Sequence, residues 1–224
     1  MKLVFSLYLL FLVIYLANSK INTFLIKLNS VEKYCLGVEF YGIFTIPYEK
    51  KNGEMSTFSA EVDNIFAYFG ECAADHSQLT IIFNPVKNVD DVWAISMNFT
   101  DNGKDFRMSS IEFGVNLNRT FLPDLKKDIV IAKSQQLSLF DSPNDKVYVC
   151  ETEQKISPDS SLEFSMKNFT VEAFVKKDQI DFSGPKQICV FKKSNLTAIL
   201  IGVFVAIVVI AGIIGFIFYK RRNM

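Results

Sequence analysis

Twenty-one consecutive residues near the C-terminus, Ala198 to Phe218, carry no charge. At about 1.5 Å of rise per residue a helix of that length reaches roughly 31 Å, and the hydrocarbon core of a bilayer is about 30 Å thick. The rest of a 224-residue chain is too small to cover such a helix on every side. A membrane span over 196–219 is therefore predicted, leaving only 220–224 beyond it. Lys220, Arg221 and Arg222 come directly after the span, as cytosolic flanks do. At the other end, Lys2 precedes an uncharged run from Leu3 to Ala17 that closes on Ala17-Asn18-Ser19. Small residues at the first and third of these positions suit signal peptidase, so 1–19 reads as a leader. A cleaved leader exports the chain behind it and outweighs Lys192 and Lys193, which dilute the charge bias across the span. Gly202, Ala206, Ala211 and Gly215 place small residues four apart, which we read as ordinary span composition rather than a helix-pairing motif. The expected topology is single-pass type I, with 20–195 in the lumen and the lipid bilayer as the first partner.

The exported segment is one domain's worth of chain and long enough to bury a core. Its cations and anions balance, 24 against 24 over the whole sequence, with no basic cluster outside the tail, which argues against nucleic acid as a partner. The six prolines are scattered, so no proline-rich hinge is expected. Period-two alternation dominates. Leu36, Val38, Phe40, Phe44 and Ile46 share one face of "CLGVEFYGIFTIPY", opposite Glu39 and Thr45. Leu79, Ile81 and Phe83 repeat the pattern. So do Trp93, Ile95, Met97 and Phe99, and then Ile111, Phe113, Val115 and Leu117. In "LEFSMKNFTVEAFV", Leu162, Phe164 and Met166 are in phase, and the set then slips by one to Phe169, Val171, Ala173 and Val175. That slip predicts a bulge near Lys167. Polar turns at "KKNGE", "DNGKD" and "DSPND" separate the strands, and 22 phenylalanines suit a core of half-buried ribbons. The expectation is an antiparallel all-β domain, with short helices at "EVDNIFAYFG" and "LPDLKKDIVIAK" suggested by apolar residues at helical spacing.

Four cysteines, Cys35, Cys72, Cys150 and Cys189, give an even count in an exported domain and imply two disulfides. Zinc would want short Cys-x-x-Cys spacings and histidine help, and His76 is the one histidine. Three pairings are open; the near-equal separations within the first two and the last two cysteines favour sequential pairing without proving it. N-glycosylation sequons begin at Asn98, Asn118, Asn168 and Asn195. Strand phase sets Asn98 and Asn168 opposite the buried residues, Asn118 at a strand end, and Asn195 beside the span.

This cysteine frame, with β-rich text and a C-terminal span, resembles the lysosome-associated membrane glycoprotein (LAMP) family, in its single-domain form. "YCLGVEFYGIFTIPY" is similar to the family's first-cysteine strand, and "YVCETEQ" through "FSMKNFTVEAFVKKDQIDFSGPKQIC" is similar to its later loop. The resemblance implies a β-prism or sandwich-like lumenal domain with Cys35–Cys72 and Cys150–Cys189 bridges. It also implies a glycoprotein of late endosomes and lysosomes that shields the membrane or takes part in vesicle traffic. The tail departs from the family, whose Gly-Tyr-x-x-apolar end engages a clathrin adaptor. Here Tyr219 adjoins the span and Arg222 stands where the apolar residue is needed.

Catalysis finds little support. A nucleophile–base pair would have to use His76, and the cysteines are committed to disulfides. Asp90-Asp91 and Glu151/Glu153 read as solvated carboxylates. Asp90, Asp91, Asp101 and Asp105 fit no calcium-loop spacing, and no phosphate-binding loop occurs. No enzyme activity, cofactor, metal or small-molecule substrate is expected. The alternative to an endosomal role is a plasma-membrane or secretory-vesicle ectodomain that binds lumenal or membrane protein partners.

Overall fold

The computed structural model describes residues 21–28, 32–87, 91–120 and 122–189. The predicted leader, span and tail, together with Asp90 and Asn195, lie outside the described residues. The described residues all fall in the unit that ends at Cys189.

Among the described residues twelve strands form two sheets. The larger is built on two 16-residue strands, β2 (Tyr34–Glu49) and β11 (Leu162–Lys177), paired antiparallel. β2 is flanked in succession by β1 (Asn22–Lys27), along Tyr34–Phe40, and β3 (Met55–Glu61), along Ile43–Glu49. β11 is flanked likewise by β10 (Gln154–Asp159) and β9 (Val147–Cys150), and β12 (Lys186–Ile188) adds parallel to β9. The smaller sheet is a meander of β4 (Ile65–Cys72), β5 (His76–Phe83), β6 (Trp93–Asp101), β7 (Asp105–Leu117) and β8 (Ile129–Pro143). The hairpins turn at Gly53 and Gly103, whose φ values of 89° and 88° are open to glycine at no steric cost.

The alternating sets close on one another. Leu36, Val38, Phe40, Phe44 and Ile46 are fully buried, as are Leu79, Ile81, Phe83, Trp93, Ile95, Met97 and Phe99. Phe44 sits at the centre of the core. From the larger sheet its ring meets Phe164 at 4.7 Å, and from the smaller it meets Phe83, Trp93 and Phe113 at 5.5, 5.7 and 5.6 Å. The Trp93 indole N–H, buried with the ring, donates to the Asn116 carbonyl at 2.7 Å, so no donor is left orphaned.

The bulge expected near Lys167 is present: the β11–β2 register shifts between Lys167 and Thr170, and Asn168 takes a φ of 51°. Asparagine tolerates that left-handed region better than other residues with a Cβ. A second irregularity corrects the reading downstream. Phe174 has a φ of 59°, the register shifts again between Ala173 and Lys177, and Val175 is only half-buried.

Neither expected helix forms. "EVDNIFAYFG" ends β3, turns at Val62–Asn64 and starts β4. The helical spacing was misleading because its residues do not share an environment: Val62 is buried while Phe66 and Phe69 are 73% and 56% exposed. Pairing with β5 and the bond at Cys72 hold the segment extended. In "LPDLKKDIVIAK", Leu125 bridges to Lys50 and Ile129 opens β8 against Leu117.

Candidate functional site

Two disulfides frame the domain. Cys35, at the start of β2, bonds to Cys72, at the end of β4, with Cα atoms 6.4 Å apart. This bridge joins the two sheets where β1 and β4 meet. There Phe24 and Tyr68 make an edge-on ring contact at 5.3 Å, and the Asn22 amide donates to the Val62 carbonyl. Gly70 belongs to the same seam, since a Cβ there would stand 3.1 Å from the Ile26 side chain of β1; it would also stand 2.0 Å from the Gln78 carbonyl oxygen of the neighbouring β5.

Cys150, the last residue of β9, bonds to Cys189, just after β12, with Cα atoms 5.1 Å apart. The bridge therefore stays within one sheet. It locks the parallel β9–β12 pair, which continues through Val147 N–H to the Pro185 carbonyl and Cys189 N–H to the Val149 carbonyl. The loop between β11 and β12 folds back over the outer face of that sheet. Ile180 and Phe182 press on Gly37, where a Cβ would come within 2.7 Å of an Ile180 methyl. Paired with Gly37 in register is Glu172, a carboxylate only 5% exposed and bonded to the Lys177 ammonium. This covering loop had no signature in the sequence beyond an isoleucine and a phenylalanine among polar residues.

The sequon asparagines lie apart from one another. Asn98 stands on the outer face of β6, the central strand of the smaller sheet, half-buried, with its amide donating to the Ser110 hydroxyl at 2.9 Å. Asn118 comes just after β7; its side-chain oxygen accepts from Thr120 N–H at 2.9 Å and its amide donates to Asp91. Asn168 occupies the β11 bulge.

The remaining candidates are taken up by local structure. Asp91 accepts from Asn116 and Asn118. Asp101 caps the β6–β7 turn by accepting from Gly103 N–H at 2.6 Å, and accepts from the Asn144 amide at 2.8 Å. Asp105 lines a shallow depression beside Arg107 and Asp141. Glu153 pairs with Lys167 at 3.7 Å, and Glu151 is exposed. The His76 ring stands 2.9 Å from Asp75, and its hydrogen bond holds the Asp75 carboxyl below the usual range. Among the described residues no three His, Cys, Asp or Glu side chains gather to hold a metal ion.

Ionisation depends on placement. Asp159, the last residue of β10, is pulled down to about 2 by hydrogen bonds from the Ser161 hydroxyl and the Lys133 ammonium. Tyr148 is pushed up to about 12, by burial first and then by Asp141; burial and then a hydrogen bond to Glu61 do the same for Tyr41.

Residues 16–189 match the family profile described as lysosome-associated membrane glycoprotein 2-like, luminal domains. No curated protein sequence matches the chain. Among solved structures, the fold is similar to the membrane-proximal domain of mouse lysosome-associated membrane protein 1 (LAMP-1). The TM-score is 0.61 at 20% identity, over 77% of this chain and 98% of that one. It is also similar to human LAMP-3 (DC-LAMP), with a TM-score of 0.60 at 15% identity over 76% and 99%. The membrane-distal domain of mouse LAMP-2 gives 0.57 at 18% over 75% and 99%. These likenesses concern the fold. The profile match spans most of the chain, and the two-sheet, two-bridge architecture agrees with it: the chain belongs to the lysosome-associated membrane glycoprotein family, through its LAMP-2-like luminal domain.

Proposed function

We propose that the chain is a type I glycoprotein of endosomal and lysosomal membranes, with one luminal domain, a span over 196–219 and a tail of 220–224. In this reading it shields the membrane or takes part in vesicle traffic, and it is not an enzyme. The observation that carries the reading is the family match over residues 16–189. Asn98, Asn118, Asn168 and Asn195 are the proposed glycan acceptors. Expression of the tagged full chain in cells with an exported-protein pathway tests this. Colocalisation with acidic compartments, and a mobility increase on enzymatic N-glycan removal, are expected. Retention at the plasma membrane with no acidic-compartment signal would overturn the lysosomal assignment.

A second reading rests on Arg222, a cation where an adaptor pocket requires an apolar side chain. Without that signal, sorting would depend on luminal or membrane partners, and the chain would serve as a cell-surface or vesicle ectodomain. Grafting residues 20–195 onto a neutral anchor and tail separates the two. Unchanged localisation assigns sorting to the luminal domain, and altered localisation assigns it to the native span or tail.

A further inference from the structure

The dipeptide Asn-Gly occurs twice in the chain, each time in a turn between strands: Asn52-Gly53 joins β2 to β3, and Asn102-Gly103 joins β6 to β7. Asparagine is among the thermally labile residues. The backbone nitrogen of the following residue can attack its side-chain amide carbon, and a glycine there leaves that nitrogen unshielded by any Cβ. Both glycines have positive φ, 89° and 88°, and a Cβ on either would meet nothing within 4 Å. Asn52, Gly53, Asn102 and Gly103 are all exposed, so water reaches both turns. By dipeptide and exposure the two sites are equivalent.

Their hydrogen bonds separate them. In the first turn the Gly53 N–H donates to the Lys50 carbonyl at 2.9 Å, and the Asn52 side-chain oxygen accepts from the Glu54 N–H at 3.0 Å. In the second, the Gly103 N–H donates to a carboxylate oxygen, Asp101 Oδ1, at 2.6 Å. The Asn102 side-chain oxygen accepts from both the Lys104 N–H, at 3.0 Å, and the Asp105 N–H, at 2.9 Å. Asn144, in the β8–β9 turn, holds these parts in place. Its side-chain amide donates to the same Asp101 oxygen at 2.8 Å, and its backbone N–H donates to the Lys104 carbonyl at 3.0 Å.

We infer that Asn102 is a modification site, at which the folded turn promotes its own deamidation with Asp101 as the base. A general base must lie within hydrogen-bond reach of the proton it takes, and Asp101 already holds the Gly103 proton. As the Gly103 nitrogen forms its bond to Asn102 Cγ, that proton passes to the Asp101 carboxylate. Negative charge develops on Asn102 Oδ1, where the Lys104 and Asp105 N–H groups already point and stabilise it. The Cγ–Nδ2 bond then breaks, and the nitrogen takes the proton back from Asp101 and leaves as ammonia. Solvent water opens the resulting succinimide at either carbonyl, giving aspartate or isoaspartate, so the net change is amide plus water to acid plus ammonia. Asn102 lines the shallow depression with Asp101, Asp105, Arg107 and Asp141, and the reaction adds a carboxylate to it. At Asn52 the glycine proton faces a carbonyl, a far weaker base than a carboxylate.

The test ages the full chain, in a mild detergent at neutral pH, in water enriched in heavy oxygen. Ring opening writes that oxygen into the new carboxyl group, so peptide mass spectrometry distinguishes it from conversion at a sequon during glycan removal in ordinary water. Label at Asn102 should accumulate roughly tenfold or more faster than at Asn52, modest beside the about 10²–10⁴-fold of a well-tuned base. D101N keeps an oxygen acceptor for the Gly103 N–H but removes the base. It should slow Asn102 to about the rate of Asn52 and leave Asn52 unchanged. Ageing the wild type in denaturant is the second measurement, which stands even if D101N folds poorly: the two rates should converge once the turns are lost. Label at Asn52 equal to or above that at Asn102 in the folded chain would overturn the proposal. So would a folded D101N that ages like the wild type, or a difference that survives unfolding and so belongs to the flanking sequence.

Discussion

The two disulfides close loops of almost the same size, 37 and 39 residues apart in sequence, yet they do different structural work. Cys35–Cys72 spans two sheets between which, among the described residues, no strands pair, and it joins them where β1 and β4 meet edge to edge. Cys150–Cys189 lies within one sheet and fixes a three-residue parallel strand that could otherwise peel from the edge. Chain-entropy reasoning treats both alike, at about 4 kcal/mol each for loops of this length. The fold separates them: one loop closure holds together the core, the other holds an edge and the loop that covers Gly37.

The sharpest way to break this contrast is to remove each bridge. Cys35→Ala with Cys72→Ala should lower global stability by roughly 3–4 kcal/mol, seen as a lower denaturant midpoint for the whole core. Cys150→Ala with Cys189→Ala should lower the midpoint less and instead speed amide exchange in residues 178–189. Equal midpoint losses with no localised exchange would erase the distinction. The glycines near each bridge sharpen it further. At Gly70 a Cβ meets backbone, the Gln78 oxygen at 2.0 Å, whereas at Gly37 it meets side chains, the Ile180 Cγ2 methyl at 2.7 Å and the Phe182 ring at 3.0 Å. Gly70→Ala should therefore cost more than Gly37→Ala, within the range of about 1–3 kcal/mol typical of overpacking, as thermal melts of the two variants can rank.

The smallest expected effect concerns pH. Asp159 is exposed, and its folded value of about 2 lies below the ordinary 3.8. A depressed carboxyl stabilises the fold fully above its unfolded value and loses that contribution as pH falls through the folded one. Its share should thus survive intact at the mildly acidic pH of an endosomal lumen and fade only between about 4 and 2. Asp159→Asn should leave the midpoint at pH 5 and pH 7 shifted by the same small amount. A difference between the two would refute the assignment.

Much of the core was legible because half-buried strands write their phase plainly. Every residue assigned inward in β5, β6 and β7 is buried, and the slip at Lys167 marked a real bulge. Strands without that contrast were not legible. β3 is mostly small and hydroxyl-bearing, β9 and β12 are too short to show a period, and β4 is an edge whose aromatic residues, Phe66, Tyr68 and Phe69, are all exposed. The second bulge at Phe174 left no trace in the sequence because a phenylalanine gives no sign of a left-handed backbone. An even cysteine count implied two bonds, but which sheets they join depends on long-range pairing that no local pattern encodes. Sequon text marks where a glycan can be attached; that Asn98 lies on a central strand and Asn168 in a bulge is a property of the fold.

The parallel clasp at the end of the domain also has a mechanical meaning. Tension drawn along the chain beyond Cys189 enters through a residue covalently bonded to Cys150. Load therefore bypasses the weak grip of β12 and passes into β9, which is hydrogen-bonded to the long strand β11. A pull that would unzip three residues must instead shear strands seated in the core.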